Sequence, residues 1–167
     1  MKQELRELAV RLLDQHRIMT IATNRADGWP QATVVGYANE GLTLYCFISR
    51  LSQKYSNIGR DNRVSIAIAR DVLIPEEIKG LSLAGKAEQV EQESDFDRVC
   101  ELFMKRHPEH ASLSRPNASV VAMLRITPKI VSVLDYSRGL GHSDLMTVSL
   151  EDVHSTESRS NWLDWNT

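Results

Sequence analysis

The chain has 167 residues, 42% of them hydrophobic and 25% charged, with a formal net charge of −2. That length fits one domain with a single core, and the near-balanced charge gives no general attraction to nucleic acid or to an anionic membrane. No apolar run approaches the roughly 20 residues that span a bilayer, "MKQELRELAVRLLDQH" carries acids unlike a signal peptide, and Cys46 and Cys100 stand too far apart for a disulfide framework or paired zinc spacing, so a reduced cytoplasm is the default compartment.

Leu5, Leu8, Ala9, Leu12 and Leu13 recur at helical spacing, which predicts an amphipathic helix over 3–15. "RIMTIATN" (17–24) reads as a strand, "RADGWP" (25–30) as a tight turn built on Asp-Gly, and "QATVVGYA" (31–38) as a second strand. "NEG" (39–41) turns the chain into "LTLYCFIS" (42–49), so the three strands form an antiparallel meander. A short helix over 52–60 follows, with Ser52 as N-cap and Gly59 near its C-terminal end. "RVSIAIA" (63–69) alternates with period two, and "LSLAGKAEQVE" (81–91) is a fifth strand with a glycine where a barrel strand bends. A second long helix starts at Ser94, buries Phe96, Val99, Cys100, Phe103 and Met104, and ends at Pro108. Residues 119–136 form two strands, or one interrupted at Pro128, and 145–150 adds a last strand. The pattern is mainly β with flanking helices: a small antiparallel barrel over 1–150 with its N-terminal helix, followed by a polar tail over 151–167.

One stretch carries chemistry. At "FISRLSQKYSNIGR" (47–60) the apolar strand gives way to Ser49, Arg50, Ser52, Gln53 and Lys54. A helix N-terminus holds N–H groups without intrahelical partners and a partial positive charge, a natural seat for phosphate. The two serine hydroxyls add donors, and Arg50 and Lys54 add charge. The same residues also suit an ordinary capped helix with a wet face.

Order along the chain bears on that choice. Asp27, Gly28 and Pro30, then Gly41, then Phe47, Ser49, Arg50, Ser52 and Lys54, then Asn57 and Ile58, then Asn62, Arg63 and Val64 follow one another. The segment 27–68 resembles the pyridoxamine 5′-phosphate oxidase-like family of FMN-binding split barrels. The resemblance implies an antiparallel split β-barrel, a homodimer, and FMN at the dimer interface. It implies that Ser49, Arg50, Ser52, Gln53 and Lys54 hold the phosphate and ribityl chain, and that the backbone of Thr33, Val34 and Val35 faces the isoalloxazine ring. Three departures stand out. Ile48 replaces a family threonine, Gln53 replaces an arginine, and "TVVGYA" lacks both cations of the R-x-V-L-L-K strand of true pyridoxamine-phosphate oxidases. They argue against vitamin B6 oxidation, and they weaken flavin affinity or open the site to another ligand.

The Gly-rich loop "YSRGLGHSD" (136–144) reads either as a simple turn or as a loop that brings His142 to the cofactor or substrate. His107 and His110 are three apart but flank Pro108 with no third ligand nearby, which favours a helix end over a metal site. Trp162 and Trp165 cap the barrel, cover the flavin or partner subunit, or dock on the chain's own core. The sequence therefore leads to an FMN-dependent oxidoreductase that takes electrons from a reduced nicotinamide and passes them to an unknown small acceptor. Two alternatives stand beside it. One is a non-catalytic protein that stores or senses flavin, or binds haem with His142 or His154 as iron ligand; the other is a deazaflavin-dependent reductase. Neither nucleic acid nor membrane is an expected partner.

Overall fold

The computed structural model describes residues 2–110, 115–149 and Asp152. Trp162, Trp165, His154 and the tail expectations lie outside these residues. An N-terminal helix, α1 (Lys2–Gln15), leads into a hairpin of β1 (Ile18–Asn24) and β2 (Pro30–Gly36). The hairpin turn is held by Asp27, whose carboxylate accepts from the Trp29 N–H at 3.2 Å and from the Arg25 guanidinium at 2.6 Å. Gly28 supplies the positive φ, +86°, that the turn requires.

Next come β3 (Ala38–Glu40), β4 (Thr43–Ser49), α2 (Gln53–Arg60), β5 (Arg63–Ala69) and β6 (Lys79–Gln89). The helix α3 (Glu93–Arg106), the long β7 (Val121–Asp135) and β8 (Ser143–Thr147) complete the described fold. All eight strands join one antiparallel sheet in the order β2-β1-β5-β6-β7-β4-β3, with β8 on β7.

That order makes the sheet curl. β2 and β3 lie at opposite ends of it, yet only Tyr37 separates them in the chain. Three consecutive Cα atoms span on the order of 7 Å, so the two edges must come round to meet. They do so without a ladder between β2 and β4, leaving a curled half-barrel that is split along one seam. The expected single strand over 31–38, and with it the three-strand meander, is thus corrected. The chain breaks at Tyr37, which is fully buried and donates its hydroxyl to the Leu13 carbonyl at 2.7 Å. The turn after β3 falls on Gly41 and Leu42, because Glu40 still pairs with Thr43.

The barrel interior is filled by alternating residues of β1, β5 and β6, among them Ile21, Ile66, Ile68, Leu81 and Leu83, with Ala9, Leu12 and Leu13 of α1 packed against them. β4 and the start of β7, over Ala122, Met123 and Leu124, are buried on both faces. Leu44, Cys46, Leu124 and Ile126 point into the main core, while Tyr45 and Met123 pack on Phe96 and Val99 of α3. Helix α3 begins one residue before Ser94, with Gln92 at the N-cap position making no side-chain cap, and ends at His107. The His107 ring stacks on Phe103 at 4.3 Å and donates from Nε2 to the Tyr37 carbonyl at 2.9 Å. It is a structural tie between α3 and the β2–β3 junction. Among the described residues no group of His, Cys, Asp and Glu could hold a metal ion, and no helix is long and apolar enough to cross a membrane.

Pro128 does not end β7. The register slips at Ala84/Gly85, where Ala84 faces Ile130 and Gly85 faces Pro128, so Lys129 is the extra residue of a bulge. Gly85 is obligatory there, since a Cβ would sit 2.5 Å from the Thr127 carbonyl oxygen. Gly59 lies inside α2, whose cap is Asp61, with its N–H on the Asn57 carbonyl at 2.8 Å.

Candidate functional site

β4 leaves the core at Ser49, which faces Val121 across the β4–β7 ladder. The chain then turns tightly: the Ser52 N–H donates to the Ser49 carbonyl at 3.0 Å, and the Leu51 N–H to Ser49 Oγ at 3.2 Å. Ser52 caps α2 as the sequence predicts. Its extended backbone (φ −78°, ψ 146°) lets Oγ accept from the Tyr55 N–H at 3.3 Å while donating to the Ser49 carbonyl at 2.6 Å. The Ser52 hydroxyl is therefore consumed by the turn. The N–H groups of Gln53 and Lys54, in the first turn of α2, have no intrahelical acceptor.

The two cations of this stretch behave differently. Arg50 is engaged by acceptors of the chain: Nε donates to the Ala118 carbonyl at 2.7 Å, and Nη1 to the Tyr55 hydroxyl at 2.7 Å and Gln89 Oε1 at 3.1 Å. It forms one wall of a cleft of about 470 Å³ shared with Phe96, Arg115 and Met123. Lys54 is half-buried and makes no hydrogen bond or ion pair among the described residues. Its charge is felt by the buried Cys46, whose thiol burial pushes up to about 12 while Lys54 pulls it down. Cys46 is consequently inert.

A chain of amide hydrogen bonds joins this turn to the edge strand. Gln53 Nε2 donates to Asn57 Oδ1 at 3.1 Å. Asn57, fully buried, donates from Nδ2 to Thr23 Oγ1 at 3.0 Å and to Gln31 Oε1 at 3.2 Å. Thr33, Val34 and Val35 follow Gln31 on β2, a sheet edge with one row of backbone groups unpaired. Thr33 Oγ1 is buried with no hydrogen-bond partner, and Val34 is 65% exposed. The roles of Asn57, Thr23 and Gln31 were missed from sequence, although a polar residue facing inward from a short helix is a signal for such a network.

His142 lies elsewhere in the chain. Ser49 faces Val121 at one end of β7, whereas Ser143 faces Leu134 at the other. Thirteen residues of strand separate the two, on the order of 40 Å at about 3.3 Å per residue. His142 is held by Asp144, 3.3 Å from Nε2, and Arg138 binds the same carboxylate at 2.6 Å. Within one subunit the structure groups Ser49, Ser52, Gln53 and Lys54 near β2 and leaves His142 apart.

A curled antiparallel half-barrel with a strand-to-helix turn beside an unpaired edge strand defines the split-barrel class. The family profile described as pyridoxamine 5′-phosphate oxidase matches residues 4–135, and the chain belongs to that family in its broad sense. Among solved structures, a haem-binding protein from Mycobacterium smegmatis superposes with a TM-score of 0.72 at 22% identity, covering 85% of this chain and 57% of the other. The chain thus spans little more than half of that protein's length. A Listeria innocua protein provisionally classed as a pyridoxamine 5′-phosphate oxidase gives 0.66 at 22% identity over 78% of this chain and 98% of its own. General Stress Protein 26 from Bacillus anthracis gives 0.66 at 19% identity over 87% and 99%. At such identities the likeness carries the fold. No curated protein matches the chain.

Proposed function

We propose that the chain is an FMN-binding oxidoreductase that works as a homodimer and passes electrons from a reduced nicotinamide to a small acceptor. The observation that carries this reading is Lys54, a half-buried cation with no acid partner among the described residues, in the first turn of α2 where two N–H groups have no intrahelical acceptor. A phosphate there neutralises the charge and satisfies the donors, each charge-assisted bond contributing about 1.5–3 kcal/mol. The Ser49 hydroxyl is a further donor, and the orphaned Thr33 hydroxyl and free backbone of β2 suit a planar polar ring. Bound FMN would supply the carrier of two electrons, and the residues of this turn and of β2 would hold and orient it. Gln53 leaves the seat one cation short of the family pattern, so the fit is to a phosphate held moderately.

Support for the dimer comes from the outer face of the sheet. Val34, Thr20, Ala67, Ser82, Ser132 and Leu145 stand side by side across six strands, and Ala32, Ala22, Ser65, Ala84, Ile130 and Thr147 form the next row. Val34, Leu145, Ile130 and nearby Ile18 are 65%, 67%, 42% and 61% exposed. Small residues flanked by large apolar ones make a flat surface suited to a second copy. In such a dimer His142 would reach the flavin seat from the partner.

A second reading is haem binding, favoured by the likeness to the mycobacterial haem-binding protein and by a His142 ring backed by a carboxylate. A deazaflavin would use the same phosphate seat. Titration with FMN, haemin and deazaflavin, followed by absorption, separates the three: a flavin double band with one FMN per chain supports the first, and a Soret band with no flavin uptake supports the second.

A further inference from the structure

The outer face of the sheet has a third row, and its chemistry is different. At the β1–β2 hairpin end, Arg63 of β5 stands directly opposite Lys86 of β6, and Lys86 faces Thr127 of β7. Like charges directly opposite in an antiparallel ladder repel. Asp61 answers only one of the two, taking Arg63 through contacts of 2.9 and 2.7 Å. Lys86 and Lys129 are exposed and make no hydrogen bond or ion pair among the described residues. Lys129 comes to this place because it is the unpaired residue of the β7 bulge, a device that re-aims a side chain. The three cations line one cleft of about 380 Å³ that opens beyond the second row, at the margin of the face proposed for a second copy; Ala22, Ser65 and Ala84 of that row border it, and its lining contains no acid.

We infer that this cleft binds a compact anion of two or more charges, of the phosphate or polycarboxylate class. The site is distinct from the phosphate seat: Ser49, Ser52, Gln53 and Lys54 do not line it, and the two share only Thr23, which borders the cleft while its hydroxyl accepts from Asn57 of α2. Small bordering residues leave the room, the bulge brings the third charge, and an anion relieves the Arg63–Lys86 repulsion. Selectivity comes from charge density, since two lysines act as point charges on flexible stems.

The test uses the full chain carrying Lys54→Ala, so that the flavin seat does not compete. Calorimetric titration with inorganic pyrophosphate gives one site per chain, and affinity falls at least tenfold in the added Lys86→Gln/Lys129→Gln variant and falls with salt. The same pair of substitutions in the Lys54 chain leaves FMN affinity unchanged, which also shows that the fold is kept. A parallel titration with citrate assigns the ligand class: tighter pyrophosphate marks phosphorylated ligands, tighter citrate marks polycarboxylates, and both support the site. Absence of pyrophosphate and citrate binding to the Lys54→Ala chain, or binding indifferent to the two glutamines, overturns it. So does a loss of dimer mass on Lys86→Gln/Lys129→Gln without loss of anion affinity, because the cations then belong to the subunit contact.

Discussion

Gln53 donates its side-chain N–H to Oδ1 of the buried Asn57 at 3.1 Å, one turn further along α2. Asn57 passes the connection to Thr23 and Gln31. The turn that leads into α2 and the edge strand β2 are therefore one hydrogen-bonded unit, joined through Asn57.

Asn57→Leu leaves the buried Thr23 hydroxyl without its partner and frees the Gln31 and Gln53 amides. The expected cost is about 2–3 kcal/mol of folding stability, from unsatisfied buried polar groups. Urea unfolding measures it; a change within about 0.5 kcal/mol contradicts the network's importance.

Gln53→Arg restores the second cation of the family pattern. Its partner Asn57 keeps two other bonds, so the fold survives. FMN affinity rises about tenfold, the size of one charge-assisted bond discounted for exposure. Fluorescence quenching of FMN reports it, and an unchanged or weakened affinity places the phosphate elsewhere.

Val34→Glu or Ala67→Arg puts a charge in the middle of the flat outer face. Light scattering on the eluted protein should show wild-type chain at twice its monomer mass and both variants at the monomer mass, with unfolding midpoints little changed. A monomeric wild type removes the dimer.

Alkaline pH weakens the fold through Cys46. Its thiol sits at about 12 in the folded chain because burial disfavours the thiolate, against an ordinary value of about 9. The folded value is raised, so this contribution is complete below about pH 9 and is lost as pH climbs toward 12. Tyr37, buried and likewise raised, adds loss over the upper part of that window. Stability of Cys46→Ala falls less steeply between pH 9 and 11 than that of the wild type; parallel slopes would mean that the thiol is not buried.

Local chemistry was legible in the sequence. Ser52 announced its cap, because a serine before a short amphipathic stretch satisfies a helix end within four residues. β5 announced itself by alternation, since one face of it is core and the other is not. What depended on distant partners was hidden. Arg50 reads as a phosphate ligand, and nothing in the sequence signals that its guanidinium also reaches Ala118 and Gln89, 68 and 39 residues away. The break at Tyr37 rests on a bond to Leu13 from a helix 24 residues earlier. Lys129 looked like an ordinary strand residue, and only the slip against Ala84 and Gly85 shows where it points.

The most direct test of the account is titration of the purified chain with FMN, wild type beside Lys54→Ala, followed by flavin fluorescence and absorption. The account predicts one FMN per chain and a loss of roughly 10- to 100-fold in affinity for the variant, the equivalent of about 1.5–3 kcal/mol. A wild-type chain that takes up no FMN, or a Lys54→Ala chain that binds it equally well, would contradict it.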